Sequence, residues 1–342
     1  NSVMYWHWHS IHNACETHWK GILSHDFQEN ATYREACTIG NEFARLGKHL
    51  VNLKKKNEVA VLVSNEALTA LNWFRIQEQA PGADAKSIYY NDVMRWMYDT
   101  LYHMNIECDF IWPESENLDQ YKAIVVPALY AAPDELLIRL KQYVENGGTL
   151  IASFKTAFAN ENVKVSHQVQ PHILSNCFGV HYDQFTFPKN VGLTGEVIPE
   201  KPDQKGNAHP AANVFMELLV SEGAEVLASY WKDYAAITRN HYGKGQAVYI
   251  GCMTDEETLK SVYKAVLPEA GVEIPEYHYP IIVRKGLNDL GKTVCYFLNY
   301  SGMELEMPYD YKNGIELLEN TAVENGTALQ MPAWGVKIVE EA

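Results

Sequence analysis

The sequence predicts an α/β fold. Its centre is a parallel sheet covered by helices on both faces, with a short strand–helix piece before it and a small antiparallel β-sandwich after it. Three observations carry this expectation. Between residues 57 and 155, short runs that are apolar at every position alternate with segments of helical period, the pattern of strands buried on both faces of a parallel sheet. The first 55 residues hold one aromatic run and one long helical pattern, too little to bury their own apolar faces. From residue 275 onward the helical period disappears and strand-like runs are separated by turn pairs.

In chain order, Met4-Tyr5-Trp6-His7-Trp8 reads as a buried strand. Tyr33, Cys37, Phe43, Ala44, Leu46, Leu50 and Leu53 recur at helical spacing and predict a helix over 32–52. Together they look like the last piece of a larger domain. Glu58-Val59-Ala60-Val61-Leu62-Val63 is a continuous apolar strand. Val93, Met94, Met97, Leu101 and Met104 mark one face of a helix over 91–105. Strands are expected at 106–112, 123–127 and 149–152, and a helix over 133–145 ends in Gly147-Gly148. The stretch 167–207 is rich in Gly, Pro and Asn and reads as long loops or an insertion. Strands return at 235–241 and 247–251 around Gly243-Lys244-Gly245. A helix over 255–267 follows, with Thr254 or Asp255 as its cap and Glu256-Glu257 in its first turn. Residues 281–284, 293–298 and 336–339 are strand-like, with Asn313-Gly314 and Asn325-Gly326 as turns.

Composition narrows the function. The 342 residues contain 28 Lys and Arg against 43 Asp and Glu, a net charge of −15. That balance excludes a nucleic-acid partner, since phosphate binding rests on clustered cations. No run of 18 apolar residues exists, so no membrane partner is expected. The six cysteines (Cys15, Cys37, Cys108, Cys177, Cys252, Cys295) contain no CxxC pair. They fit reduced, partly buried thiols and a cytoplasmic location better than disulfides or zinc.

The densest unusual cluster is Trp6-His7-Trp8-His9-Ser10-Ile11-His12-Asn13-Ala14-Cys15-Glu16-Thr17-His18-Trp19. Three readings stand side by side. As a strand end and loop, it lines a carbohydrate pocket, with Trp faces on a pyranose ring and Glu16 accepting from sugar hydroxyls. As a metal site, His7, His9 and His12 bind a divalent ion for hydrolysis, because alternate strand residues share a face. As plain structure, it is a packed aromatic strand. Other motifs say less. Gly243-x-Gly245 lacks the third glycine of a dinucleotide fingerprint and reads as a hairpin turn. Asn30-Ala31-Thr32 and Asn299-Tyr300-Ser301 match the glycosylation sequon. Glu256-Glu257 and Glu340-Glu341 are solvated charges.

The layout of the central part is similar to class I glutamine amidotransferases, which place a nucleophilic Cys in a tight turn after a central strand. Here that stretch is Ser153-Phe154-Lys155-Thr156, without cysteine, without the glycines that would let Ser153 substitute, and with no late His-x-Glu. A structural role is expected.

Tyr5-Trp6-His7-Trp8, then Glu16 and Trp19, then Lys20-Gly21-Ile22-Leu23-Ser24-His25-Asp26, resemble glycoside hydrolase family 42, the microbial β-galactosidases. The resemblance continues through Asn105-Ile106, Asp109-Phe110, Tyr121-Lys122, Val125-Val126-Pro127-Ala128-Leu129-Tyr130, Tyr143-Val144 and Gly147-Gly148. It implies three domains. Residues 1–55 would be the C-terminal end of a (β/α)8 catalytic barrel. Residues 56–274 would be an amidotransferase-like (flavodoxin-like) trimerisation domain, and 275–342 a C-terminal β-sandwich. It also implies retaining hydrolysis of terminal β-D-galactosyl residues by two glutamates on earlier barrel strands, so no catalytic residue is expected in this chain. Glu16 matches a position that binds galactose hydroxyls. Trp6 and Trp19 match positions that wall the same subsite, where many members carry Phe and His. The expected partners are a β-galactoside and two further copies in a homotrimer. No cofactor and no metal are expected, and any cysteine-bound zinc would belong to the earlier barrel. Two rival functions remain: a non-enzymatic carbohydrate-binding or oligomerisation scaffold module, and the metal-dependent hydrolase using His7, His9 and His12.

Overall fold

A computed structural model describes residues 3–19, 21–77, 87–189, 191–199, 212–231 and 234–342. Lys20, and Asn190 and residues 200–207 of the expected loop region, lie outside them. The chain groups into two units, one of Asn1–Lys56 with Tyr279–Ala342 and one of Asn57–His278.

In the flanking unit, residues 4–8 form no strand, contrary to the sequence expectation. A strand needs a hydrogen-bonded neighbour, and what pairs here is the adjoining backbone. Ile22 N–H donates to His7 O (2.9 Å), Leu23 N–H donates to Trp8 O (2.8 Å), and His9 bridges Leu23 in parallel. Gly21 is required at this crossing, because a Cβ there would sit 2.5 Å from the His9 carbonyl carbon. Helix α1 (Ala31–Leu50) follows, its N-cap Asn30 accepting from Tyr33 N–H at 3.1 Å.

The α/β unit begins with β1 (Val59–Leu62) and α2 (Asn65–Trp73), whose cap Ser64 accepts from Ala67 N–H. Then come α3 (Tyr90–His103), β2 (Cys108–Ile111), β3 (Ala123–Val126), α4 (Asp134–Asn146) and β4 (Thr149–Ser153). Helix α4 stops because Gly147 takes φ +124°, and a Cβ on Gly148 would lie 2.2 Å from the Tyr143 ring. The region expected to be loops instead carries a short α5 (Ser175–Phe178) and β5 (Val180–Thr186). Val180 and Tyr182 point inward, a strand period of two hidden among turn-forming neighbours. Strands β6 (Met216–Ser221), β7 (Glu225–Trp231), β8 (Tyr234–Tyr242) and β9 (Gly245–Ile250) follow. Tyr242 pairs with Gly245, so Gly243-Lys244 is the hairpin turn expected, with Gly243 at φ +60°. Helix α6 (Glu256–Val266) is capped by Asp255, which accepts from Thr258 N–H at 2.8 Å.

The sheet is mixed rather than wholly parallel. The order β2-β1-β3-β4-β9 is parallel, and β8, β6 and β5 extend it antiparallel, with β7 on β8. Strands β1, β3 and β4 are buried at every position, as their unbroken apolar runs require.

After residue 278 the flanking unit resumes with β10 (Ile281–Leu287), β11 (Thr293–Asn299), β12 (Leu305–Pro308), β13 (Gly314–Glu316), β14 (Thr321–Val323), β15 (Ala328–Met331) and β16 (Val336–Glu341). They form antiparallel sheets β10-β11-β16-β13-β14 and β12-β15. Asn325-Gly326 is a turn with Gly326 at φ +81°, but Gly314 opens β13 instead, where a Cβ would meet Glu340 O at 2.4 Å. Helix α1 packs on these strands. Leu46 joins Val294, Leu317 and Ile338, Arg45 donates to the carbonyls of Leu317 and Leu318, and His49 Nδ1 lies 2.7 Å from Glu340 Oε1. The first and last stretches of the sequence, separate domains in the sequence reading, thus share one small core.

Candidate functional site

The segment expected to bind sugar lies wholly in the flanking unit. Trp6 is 80% exposed and Trp19 55%, and Glu16 is exposed as well. The Trp6 ring meets that of His7 edge-on, and the Trp19 ring meets that of its neighbour His18. Glu16 O accepts from Trp19 N–H (3.0 Å), closing one turn that carries both side chains. An open depression of about 470 Å³ nearby is lined by Trp8, Leu23, Phe27, Gln28, Glu29 and Tyr33. It includes none of the three predicted residues.

The histidines do not assemble as ligands. His9 Nδ1 lies 2.9 Å from Ser10 O, and His12 Nε2 lies 2.5 Å from His25 O. Their rings are 6.2 Å apart, and among the described residues no group of three metal-binding side chains converges. Once the expected strand is gone, alternate residues no longer share a face. The sequon asparagines also have structural duties: Asn30 caps α1, and the amide of buried Asn299 donates to Met303 O at 2.8 Å.

The second place of interest is the end of β3 and β4, where doubly wound folds hold ligands. Ser153 is no nucleophile. It is fully buried, and its Oγ accepts from Ala128 N–H at 2.8 Å. The turn residue is Lys155, at φ +67°. Its backbone N–H donates to Glu217 Oε1 (2.9 Å), and the Tyr249 hydroxyl donates to Glu217 Oε2 (2.8 Å). Burial pushes the Glu217 carboxyl up to about 7, against the downward pull of these donors. Burial lowers the Lys155 amine, and the Glu217 charge opposes that. The ammonium sits over Phe215, Phe185, Phe158 and Tyr130, 4.4, 4.9, 5.2 and 5.7 Å from the ring centroids. Sequence reasoning singled out neither Lys155 as a site nor Glu217. The available signal was a single acid inside the apolar run Phe215-Met216-Glu217-Leu218-Leu219-Val220. The six cysteines are free, and burial drives Cys177, Cys252 and Cys295 up to about 12, far from a thiolate. No helix among the described residues is long and apolar enough to cross a membrane.

Comparison with known proteins gives a consistent result. A family model described as the beta-galactosidase trimerisation domain matches residues 57–273, close to the bounds of the α/β unit. Beta-galactosidase BgaP of Planococcus sp. (strain L4) is 27% identical over 310 residues, covering 88% of this chain and 44% of that protein. Beta-galactosidase BgaB of Geobacillus sp. (strain Y412MC61) is 28% identical over 329 residues, covering 92% and 46%. The fold matches the solved beta-galactosidase of Bacillus circulans sp. alkalophilus with a TM-score of 0.83 at 24% identity, over 98% of this chain and 49% of that one. It matches a catalytic mutant of Gan42B, a GH42 beta-galactosidase from G. stearothermophilus, with a TM-score of 0.84 at 19% identity, over 99% and 48%. The chain spans about half the length of the relatives it matches. Through its α/β unit, which carries their trimerisation domain, the chain belongs to the glycoside hydrolase family 42 β-galactosidases.

Proposed function

We propose that the chain is part of a retaining β-galactosidase that hydrolyses terminal non-reducing β-D-galactosyl residues. The observation that carries this is the family match over 57–273, supported by relatives named beta-galactosidases along most of the chain. Within that enzyme Trp6 and Trp19 wall the galactose subsite and Glu16 accepts from sugar hydroxyls. The turn that Glu16 shares with Trp19, and the exposure of all three side chains, leave these groups open to a ligand. The two carboxyl groups of the retaining mechanism are assigned to no residue of this chain. The α/β unit is a flavodoxin-like, amidotransferase-like domain that has lost its chemistry. The parallel order, second-first-third-fourth-fifth, supports that reading, as does Lys155 in the turn where a nucleophile would stand. Residues 1–55 are the end of the barrel, and the unit's role is to hold three copies together.

The test uses the purified chain. It should show no turnover of a chromogenic β-galactoside, and light scattering should give about 116 kDa, three times 38.8 kDa. Turnover at a rate usual for glycosidases would overturn the placement of the catalytic pair. A monomeric mass would overturn the assembly role.

A further inference from the structure

We propose that the crevice at the ends of β3 and β4 is an aromatic cage for a primary ammonium group, occupied by the chain's own Lys155. Four rings from four places in the sequence converge on one nitrogen: Tyr130 after β3, Phe158 after β4, Phe185 on β5 and Phe215 just before β6. Ring faces carry negative charge density and attract a cation, most strongly where water is excluded. The rings brace one another. Tyr130 stacks on Phe158 at 5.5 Å, Phe185 packs on Phe215 at 5.2 Å, and Phe158 meets Phe185 edge-on at 6.0 Å. The cage therefore does not depend on its occupant for its walls.

Glu217, fully buried two residues after Phe215, becomes the counter-charge once pH exceeds about 7. Both of its oxygens are already taken, by the Lys155 amide and the Tyr249 hydroxyl. The ammonium thus rests on ring faces, and the carboxylate acts at longer range. The backbone twist at φ +67° aims the side chain back across the strand ends. A mere space-filler would need no charge, since Met would pack the same volume without desolvating an amine. The consequence is that the crevice which related sheets leave open for ligands is closed from within. Vacated, it becomes a receptor for small primary alkylammonium ions.

The test compares thermal unfolding of the full chain with its K155A and K155M variants, in n-propylammonium chloride against equal sodium chloride. K155A should melt about 5 °C or more below wild type. Propylammonium at tens of millimolar should raise the K155A midpoint saturably, while wild type and K155M stay at their sodium chloride values. A K155M as stable as wild type shows that the stem matters and the charge does not, and overturns the proposal. So does a K155A that ignores propylammonium. Should K155A fail to fold, the ε-methylene NMR signal of Lys155 in the wild-type chain decides. Ring currents should move it clearly upfield of the other lysines, and coincidence with them refutes the cage.

Discussion

Both units bury some aromatic side chains and expose others, but the α/β unit encloses more of them. In the α/β unit Tyr90, Phe154, Phe178, Phe215, Tyr249 and Tyr263 are fully buried, and even the charged Lys155 and Glu217 are enclosed among rings and hydroxyls. In the flanking unit Trp6, Trp8, Trp19 and Phe27 lie in solvent, and the twenty-residue helix α1 buries only Leu46 completely. Burying a large aromatic is among the strongest sources of stability, so exposing several within 25 residues is costly unless a ligand or another surface uses them. The α/β unit has the larger core, yet Trp73, Trp112 and Phe187 lie exposed on it and Phe185 is only half covered. The residues that the family resemblance places around galactose are those left open.

The sharpest way to break this contrast is truncation. Phe215→Ala should cost the α/β unit about 3–5 kcal/mol, whereas Trp6→Ala should change stability by less than about 0.5 kcal/mol. Urea unfolding followed by circular dichroism compares them, and equal losses would show that the exposed tryptophan is structural after all.

A second contrast lies in pH. Glu217 has its carboxyl raised from the usual 4.5 to about 7 in the folded chain. The folded state therefore holds a proton that the unfolded state has released between those values. Its contribution is full below 4.5 and is lost as pH rises through 7, a change of about 3 kcal/mol as an order of magnitude. In Glu217→Gln the fall in melting temperature between pH 5 and about 7.5 should flatten. An unchanged slope would mean that other groups set it.

The flanking unit should respond with the opposite sign and more weakly. Burial acts to raise Glu340, but hydrogen bonds from His49 (2.7 Å) and Asn288 (2.8 Å) hold it below the usual 4.5. Its contribution is present above 4.5 and lost as pH falls through the lower folded value. Glu340→Gln should remove an acid-side loss of under ~1 kcal/mol, visible in urea titrations at pH near 4 against pH near 6. A variant as acid-sensitive as wild type would dismiss the pair.

What the amino-acid order determined alone was local. The runs at β1, β3 and β4 are apolar throughout, and the faces of α3, α4 and α6 recur at helical spacing, so each was legible to within a few residues. The turn at Gly243 and the stop at Gly147-Gly148 were legible for the same reason, because steric demand at a single glycine is written in one letter. The pattern of Tyr5, Trp6, Trp8, Glu16 and Trp19 also pointed to a sugar-binding family before any fold was known. Strands β5 and β6 were not legible, since they pair with each other across a long stretch of sequence, and β7 meets its neighbour β8 with repeated register shifts. The residues 4–8 run had the composition of a strand, but what the described residues show there is two backbone bonds, from Ile22 and Leu23 to His7 and Trp8. The joining of α1 to the last strands through Leu46, Arg45 and His49, and of Lys155 to rings up to 60 residues away, required the chain to be folded. Periodicity reports which face of an element is apolar. Only the tertiary arrangement decides what that face meets and which charge becomes enclosed.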